Sequence, residues 1–293
     1  MSAPADAIVD LDTLVQPGDA GYVEPHLHVR IGADDEGLRL HRVSCSCNES
    51  GFEPRALTPA PVLVFVEHGS FRRRTPAGDI LCDAGFAYFG NPGAEEEYAH
   101  PRDGGDVCSA ITVSPRLLGE ITGGELALPE GLVPVDARTH RGLRRLVGEA
   151  HCGSGGGWVE QGIQLVAGLV RAKSATSVPV TRPRTRAAHA RLANQAREAV
   201  VAHPELGVTE LARLVGCSPF HLSRVFRGET GTTISTYRLR VRVREAAARI
   251  EAGEENLARL ACELGFSDHS HMTRLLAREL GQTPTAIRRT MLL

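Results

Sequence analysis

The chain has 293 residues, 42% apolar and 23% charged, with a formal net charge of −2. That length accommodates two domains of ordinary size, and the balance is that of a globular chain, not a disordered or fibrous one. No run approaches the roughly 20 apolar residues of a membrane span, and seven irregularly spaced cysteines make no disulfide framework, so a reducing cytoplasm is the expected compartment.

The N-terminus, MSAPADAIVDLDTL, carries acids and no basic stretch, so it does not read as a signal peptide. Residues 1–20 read as a loose tail. From there to Ser114 the pattern is strand and turn. Runs at Gly37–Cys47 and Pro61–Glu67 alternate or are β-branched. His68-Gly69 is expected to turn the chain into the polar strand SFRRRT, and Ala77-Gly78-Asp79 to turn it again into ILCDAGFAYFG. After Pro92-Gly93 comes another strand, Asp106–Val113. Short strands with Gly/Pro turns and no helix between them predict a sandwich or barrel.

The pattern then becomes helical. Pro115 opens a helix with Leu117, Leu118 and Ile121 on one side, and Arg141–Ala150 carries Leu143, Leu146 and Val147. Trp158–Ala172 carries an amphipathic stripe of Val159, Ile163, Val166, Leu169 and Val170. That helix is read either as a face pairing two subunits or as a cover for the barrel. SATSVPVTRPRTR, residues 174–186, has two prolines and no periodicity, and reads as a linker.

Several side chains in the first half have the chemistry of metal ligands. His26 and His28 share a strand face, as do Cys45 and Cys47, and Cys82, His100 and Cys108 lie on or beside other strands. Such a set could hold zinc or another soft metal. There is, however, neither a CxxC pair nor an HxH…Glu…His order. The cysteines are therefore read as small buried apolar residues, with no metal ligand, no cofactor and no catalytic residue expected.

From Arg182 onward there are 18 arginines and 11 acids, net +7, whereas the remainder is net −9. A basic half on an acidic half suggests that one part meets nucleic acid. This basic half contains a repeat. LARLVGCSPFHLSRVFRGETG begins at Leu211 and LACELGFSDHSHMTRLLARELG at Leu260. Each reads as helix, turn, helix. Gly216 and Gly265 close the first helices, and Ser218 and Ser267 are expected to cap the second. The second helices bury Leu222, Val225 and Phe226, then Met272, Leu275 and Leu276. They leave Phe220, His221, Ser223, Arg224 and Arg227, then Ser270, His271, Arg274 and Arg278, outside. A long helix from Thr233 to about Ala252 joins the copies.

These motifs resemble the DNA-binding domain of AraC/XylS-type bacterial transcription regulators. Ala212…Gly216…Ser218…Leu222…Arg224…Phe226…Gly231 carries the likeness, followed by Tyr237, Arg242, Ala246 and Ile250. Leu260-Ala261…Gly265-Phe266-Ser267…Ser270…Arg274…Gly281…Thr283-Pro284…Arg288 carries it again. Ile234, Met272, Leu276 and Ile287 depart from the family's usual residues but keep apolar bulk. The turn spacing of the first half is similar to the cupin-type effector domain that often precedes this domain.

The resemblance implies an α+β chain: a cupin-like β-barrel with flanking helices over 21–173, a linker at 174–186, and an all-α domain of two helix-turn-helix units over 187–293. It implies a transcription regulator, not an enzyme, whose partners are promoter DNA, a small-molecule effector, a second copy of the chain and RNA polymerase. Base-facing positions would be Phe220, Ser223, Arg224, Ser270, His271 and Arg274, with Arg227 and Arg278 on phosphates. The competing reading is a cupin-type metal enzyme with a helical appendage.

Overall fold

Residues 27–35, 37–46, 51–54, 60–76, 78–100, 105–152, 157–175 and 183–289 are described by a computed structural model. The tail, Cys47, the His26 and His28 side chains and the middle of the linker lie outside the described residues.

Alternation of apolar side chains along the strands buries both faces of the first half. The strands are β1 (Leu27–Asp35), β2 (Leu38–Cys45), β3 (Glu53–Pro54), β4 (Val62–Thr75), β5 (Gly78–Asp83), β6 (Phe86–Gly90), β7 (Glu97–Ala99), β8 (Asp106–Val113) and β9 (Leu132–Pro134). The main path runs β1-β2-β8-β4-β6-β9, and every pair is antiparallel. On β4, Leu63 and Phe65 enter one core while Val64 and Val66 enter the other, as a period of two requires.

Two expectations are corrected here. His68-Gly69 does not turn the chain. β4 runs straight through it for 14 residues, with a register shift between Val66 and His68. The first part of β4 pairs with β6 and β8, and the second part with β5 and β7. The sheet therefore bends at the bulge. It also stays open, because β1 and β9 end the path without pairing to each other; among the described residues no barrel closes. The side chains of Phe71, Cys82, Tyr88 and Cys108 fill the bend. Arg73 is buried there too and donates to Glu96 at 2.8 Å.

Helices cover the other face. They are α1 (Pro115–Thr122), α2 (Ala137–Cys152) and α3 (Gly157–Ala175). Ser114 caps α1 by accepting from the Leu117 amide, and Gly123 ends it in the left-handed conformation. The apolar stripe of α3 is internal: Val159, Val166, Leu169 and Val170 belong to the same core as Leu38, Leu40, Leu63 and Ile111. The subunit-pairing reading of that stripe is thereby corrected, because a face already packed on the sheet cannot also seat a partner.

The second half is α4 (Pro183–Ala202), α5 (Val208–Leu214), α6 (Pro219–Thr230), α7 (Ile234–Glu251), α8 (Leu257–Glu263), α9 (His269–Leu280) and α10 (Pro284–Arg289). It has two cores, one around α5–α6 and one around α8–α9, with α7 contributing to both. The halves are joined by polar contacts between distant residues. Asp83 accepts from Arg197 of α4 and, at 2.7 Å, from the Tyr237 hydroxyl of α7. Arg144 of α2 donates to Glu251 at 2.9 Å and to Gln282 at 3.1 Å. Arg141 donates to the Arg278 carbonyl at 2.6 Å.

Candidate nucleic-acid interface

Helix α6 starts where its sequence dictates. The Ser218 hydroxyl accepts from the His221 amide at 3.2 Å, and Pro219 occupies the first helical position. Leu222, Val225, Phe226 and Thr230 are buried, whereas Phe220, Ser223, Arg224 and Arg227 are exposed. Phe220 is 75% exposed, an unusual state for a ring that packing could have covered. The Arg224 guanidinium lies over it, 5.7 Å from the ring centroid. His221 is half-buried, with its ring 6.1 Å from that of His189 on α4.

Helix α9 repeats the design with one correction. Asp268, not Ser267, is the cap, accepting from the His271 amide at 2.6 Å. That backbone bond, first among the causes, holds the Asp268 carboxyl below its ordinary range. Ser267 instead meets His271 Nδ1 at 2.8 Å. The extra residue in the second copy places an acceptor one position later, and the carboxylate takes the amide. Met272, Leu275, Leu276 and Leu280 are buried, while Ser270, Arg274 and Arg278 are exposed. His271 is half-buried, edge-on to Phe266 at 6.0 Å.

The two arginines that match in the repeat are alike in state. Arg224 and Arg274 are each the sixth residue of their helix, each exposed, and neither has an ion pair among the described residues. Arg278 differs, since its Nε donates to Glu279 at 3.0 Å. The family departures also hold their places: Ile234, Met272, Leu276 and Ile287 are all buried. Gly216 and Gly265 have φ of +72° and +70°, ending α5 and α8 as expected.

Residues that fix the units against the first half were not legible. Asp83 lies 114 positions from Arg197 and 154 from Tyr237, and a lone Asp, Arg or Tyr carries no local signal.

Residues 211–290 match the family model described as a helix-turn-helix domain. Over 82 residues the chain is 38% identical to the HTH-type transcriptional regulator GlxA of Rhizobium meliloti, covering 28% of this chain and 25% of that one. It is 26% identical over 86 residues to the MmsAB operon regulatory protein of Pseudomonas aeruginosa, covering 29% and 28%. The alignments thus span about a quarter of each relative. A solved structure of ToxT from Vibrio cholerae aligns over 88% of this chain and 98% of its own at 9% identity, with a TM-score of 0.37. Over residues 211–290 the repeat, its caps and its matched sequence are those of a helix-turn-helix domain similar to the one in these regulators.

Proposed function

We propose that this protein is a sequence-specific, DNA-binding transcription regulator of the cytoplasm whose activity responds to a small molecule. One observation carries the reading: equivalent exposed arginines, Arg224 and Arg274, stand on the second helices of two helix-turn-helix units. An arginine there can make a bidentate contact to a guanine edge. Phe220, Ser223 and Ser270 lie on the same exposed faces and complete the base-facing set, with Phe220 suited to a thymine methyl. Arg227 is assigned to phosphate. His221 and His271, half-buried beside other rings, position their helices more than they read bases. The matched relatives are named as regulators, which favours this reading over a metal enzyme with a helical appendage.

The effector is assigned to a cleft of about 1480 Å³ between the halves, lined by Leu132, Leu165, Arg145 and Arg171 on one side and Asn194 and Gly228 on the other. A ligand there touches both halves, so its binding is coupled to their arrangement. The interior of the bent sheet is instead filled by side chains. A homodimer would have to use a surface other than the apolar stripe of α3.

The 18 residues of α7 span about 27 Å at 1.5 Å per residue, and the major groove recurs every ~34 Å. With the width of the units added, the second helices reach two successive grooves on one side of the duplex. Selection from a random DNA library by the full-length protein should therefore yield an asymmetric site with two boxes about 10–11 bp apart. Inserting 5 bp between them should abolish specific binding. No enriched sequence would overturn the regulator reading; undiminished binding after insertion would leave one unit as the sole reader.

A further inference from the structure

Three strand ends meet at one buried point of the N-terminal half. Cys45 closes β2, His100 directly follows β7, and Asp106 opens β8. They are 6%, 4% and 5% exposed, and one ligand atom from each lies within 4.8 Å of the other two. The fold builds this convergence. Cys45 and Asp106 are register partners between β2 and β8, and Gly69 of β4 pairs with Asp106 from the other side. Gly105 has a φ of +66°, and a Cβ on it would stand 1.9 Å from the Cys45 carbonyl oxygen. No side chain fits there, so glycine is what lets the two backbones approach.

The donors already face one another. His100 Nε2 is 2.8 Å from Asp106 Oδ1, and the Cys108 thiol donates to Asp106 Oδ2 at 3.2 Å. Among the described residues no arginine or lysine pairs with this buried carboxylate. Thiolate sulfur, imidazole nitrogen and carboxylate oxygen together form the mixed donor set that zinc takes, whereas magnesium and calcium are held by oxygen alone.

We propose that Cys45 Sγ, His100 Nε2 and Asp106 Oδ1 bind a thiophilic divalent cation of the zinc class. On binding, the Cys45 sulfur–hydrogen bond breaks and the proton held between His100 Nε2 and Asp106 Oδ1 is released; both protons leave to solvent as the sulfur–, nitrogen– and oxygen–metal bonds form. The Cys108 thiol keeps its hydrogen bond to Asp106 Oδ2 and orients that carboxylate, the supporting role that outer partners of metal ligands commonly take. The 2.8 Å separation of His100 and Asp106 opens to roughly 3.3 Å, the spacing set by tetrahedral bonds of about 2.0 Å. Three protein ligands leave a fourth position for water or an exchangeable ligand. Single cysteine and histidine residues on separate strands give no spacing motif, so the sequence offers Cys45 and His100 as donors without showing that they meet, and gives no sign of Asp106.

The test uses the full-length protein, stripped with a chelator and titrated with Co²⁺. One equivalent should produce a thiolate-to-cobalt charge-transfer band in the near ultraviolet and visible bands of tetrahedral strength, both lost on adding Zn²⁺. Cys45→Ser should lose the charge-transfer band, whereas Cys217→Ser and Cys262→Ser should keep it. His100→Cys adds a second thiolate and should raise the charge-transfer intensity about twofold, a gain that a merely structural role cannot produce and that does not depend on Cys45→Ser folding. Absence of the band in the wild-type protein, its survival in Cys45→Ser, or an unchanged intensity in His100→Cys overturns the proposal.

Discussion

The Tyr237 hydroxyl donates to Asp83 Oδ2 at 2.7 Å, joining the long helix of the helix-turn-helix half to the end of a strand in the other half. Both residues are only 1% exposed, and Arg197 is paired to the same carboxylate oxygen. Burial is the largest single influence on the Arg197 guanidinium and lowers its proton affinity, but Asp83, Tyr237 and Cys82 together outweigh it, so the net shift is upward. Removing one partner of such a pair leaves an uncompensated buried charge. Asp83→Ala should therefore cost about 3–5 kcal/mol in urea denaturation. Tyr237→Phe, which removes one hydrogen bond to a charged group, should cost about 1.5–3 kcal/mol. If Asp83→Ala costs no more than Asp79→Ala, which breaks the exposed Arg74 pair, the triad does not hold the halves together.

The exposed arginines should separate by role. Arg274→Ala is expected to weaken binding to a selected site by about 1–3 kcal/mol, with a smaller loss on random DNA. Arg224→Ala should behave alike, since it occupies the matching position. Arg278→Ala should lose less, because its guanidinium already pairs with Glu279. Fluorescence anisotropy on both DNAs decides the matter. Equal losses on both would make Arg274 a phosphate contact, and no loss would remove it from the interface.

Val166 tests where the stripe of α3 belongs. It is fully buried against the sheet. Val166→Asp places a carboxylate in an apolar core and should destabilise the N-terminal half by several kcal/mol, on the order of 4. Thermal denaturation and light scattering check this together. A folded, stable monomer arising from a wild-type dimer would return the stripe to a subunit interface.

His41 should make stability fall with acid. It is buried, with Nε2 3.0 Å from the Thr112 hydroxyl. Burial first, and then Arg39, lower its pKa from 6.5 to about 4. Above pH 6.5 the ring is neutral whether folded or unfolded, and it contributes no slope. Between about 6.5 and 4 the unfolded chain binds a proton that the folded chain refuses, so stability drops, by about 3 kcal/mol once pH is below both values. The difference in stability between wild type and His41→Gln, followed from pH 7 to pH 4, should shrink or reverse accordingly. A constant difference across that range would contradict the assignment.

The helix-turn-helix half was legible because its signals are local. Ser218-Pro219, the glycines at 216 and 265, the Thr233 cap and the 3.6-residue spacing of Leu222, Val225 and Phe226 each act within a turn or two of chain, where capping and periodicity have fixed chemical causes. Even the misassigned cap, Ser267 in place of Asp268, is an error of one residue between two good acceptors. In the N-terminal half the same reasoning found strands and helices but not their arrangement. Whether the sheet closed depended on the bulge in β4, where polar His68 and Gly69 carry a turn's composition although strand pairing continues through them. Which way α3 faced depended on what stood opposite, because an amphipathic stripe is equally apolar against a sheet or a partner. The Asp83–Arg197–Tyr237 contact and the Cys45–His100–Asp106 cluster exist only because non-consecutive strands and helices converge, and distance along the chain says nothing of distance in space. The sequence by itself determined the helices and the helix-turn-helix repeat; the tertiary structure alone decided the continuity of β4, the open sheet, the buried stripe and the meeting of distant polar groups, since these are set by packing between elements rather than by preferences within them.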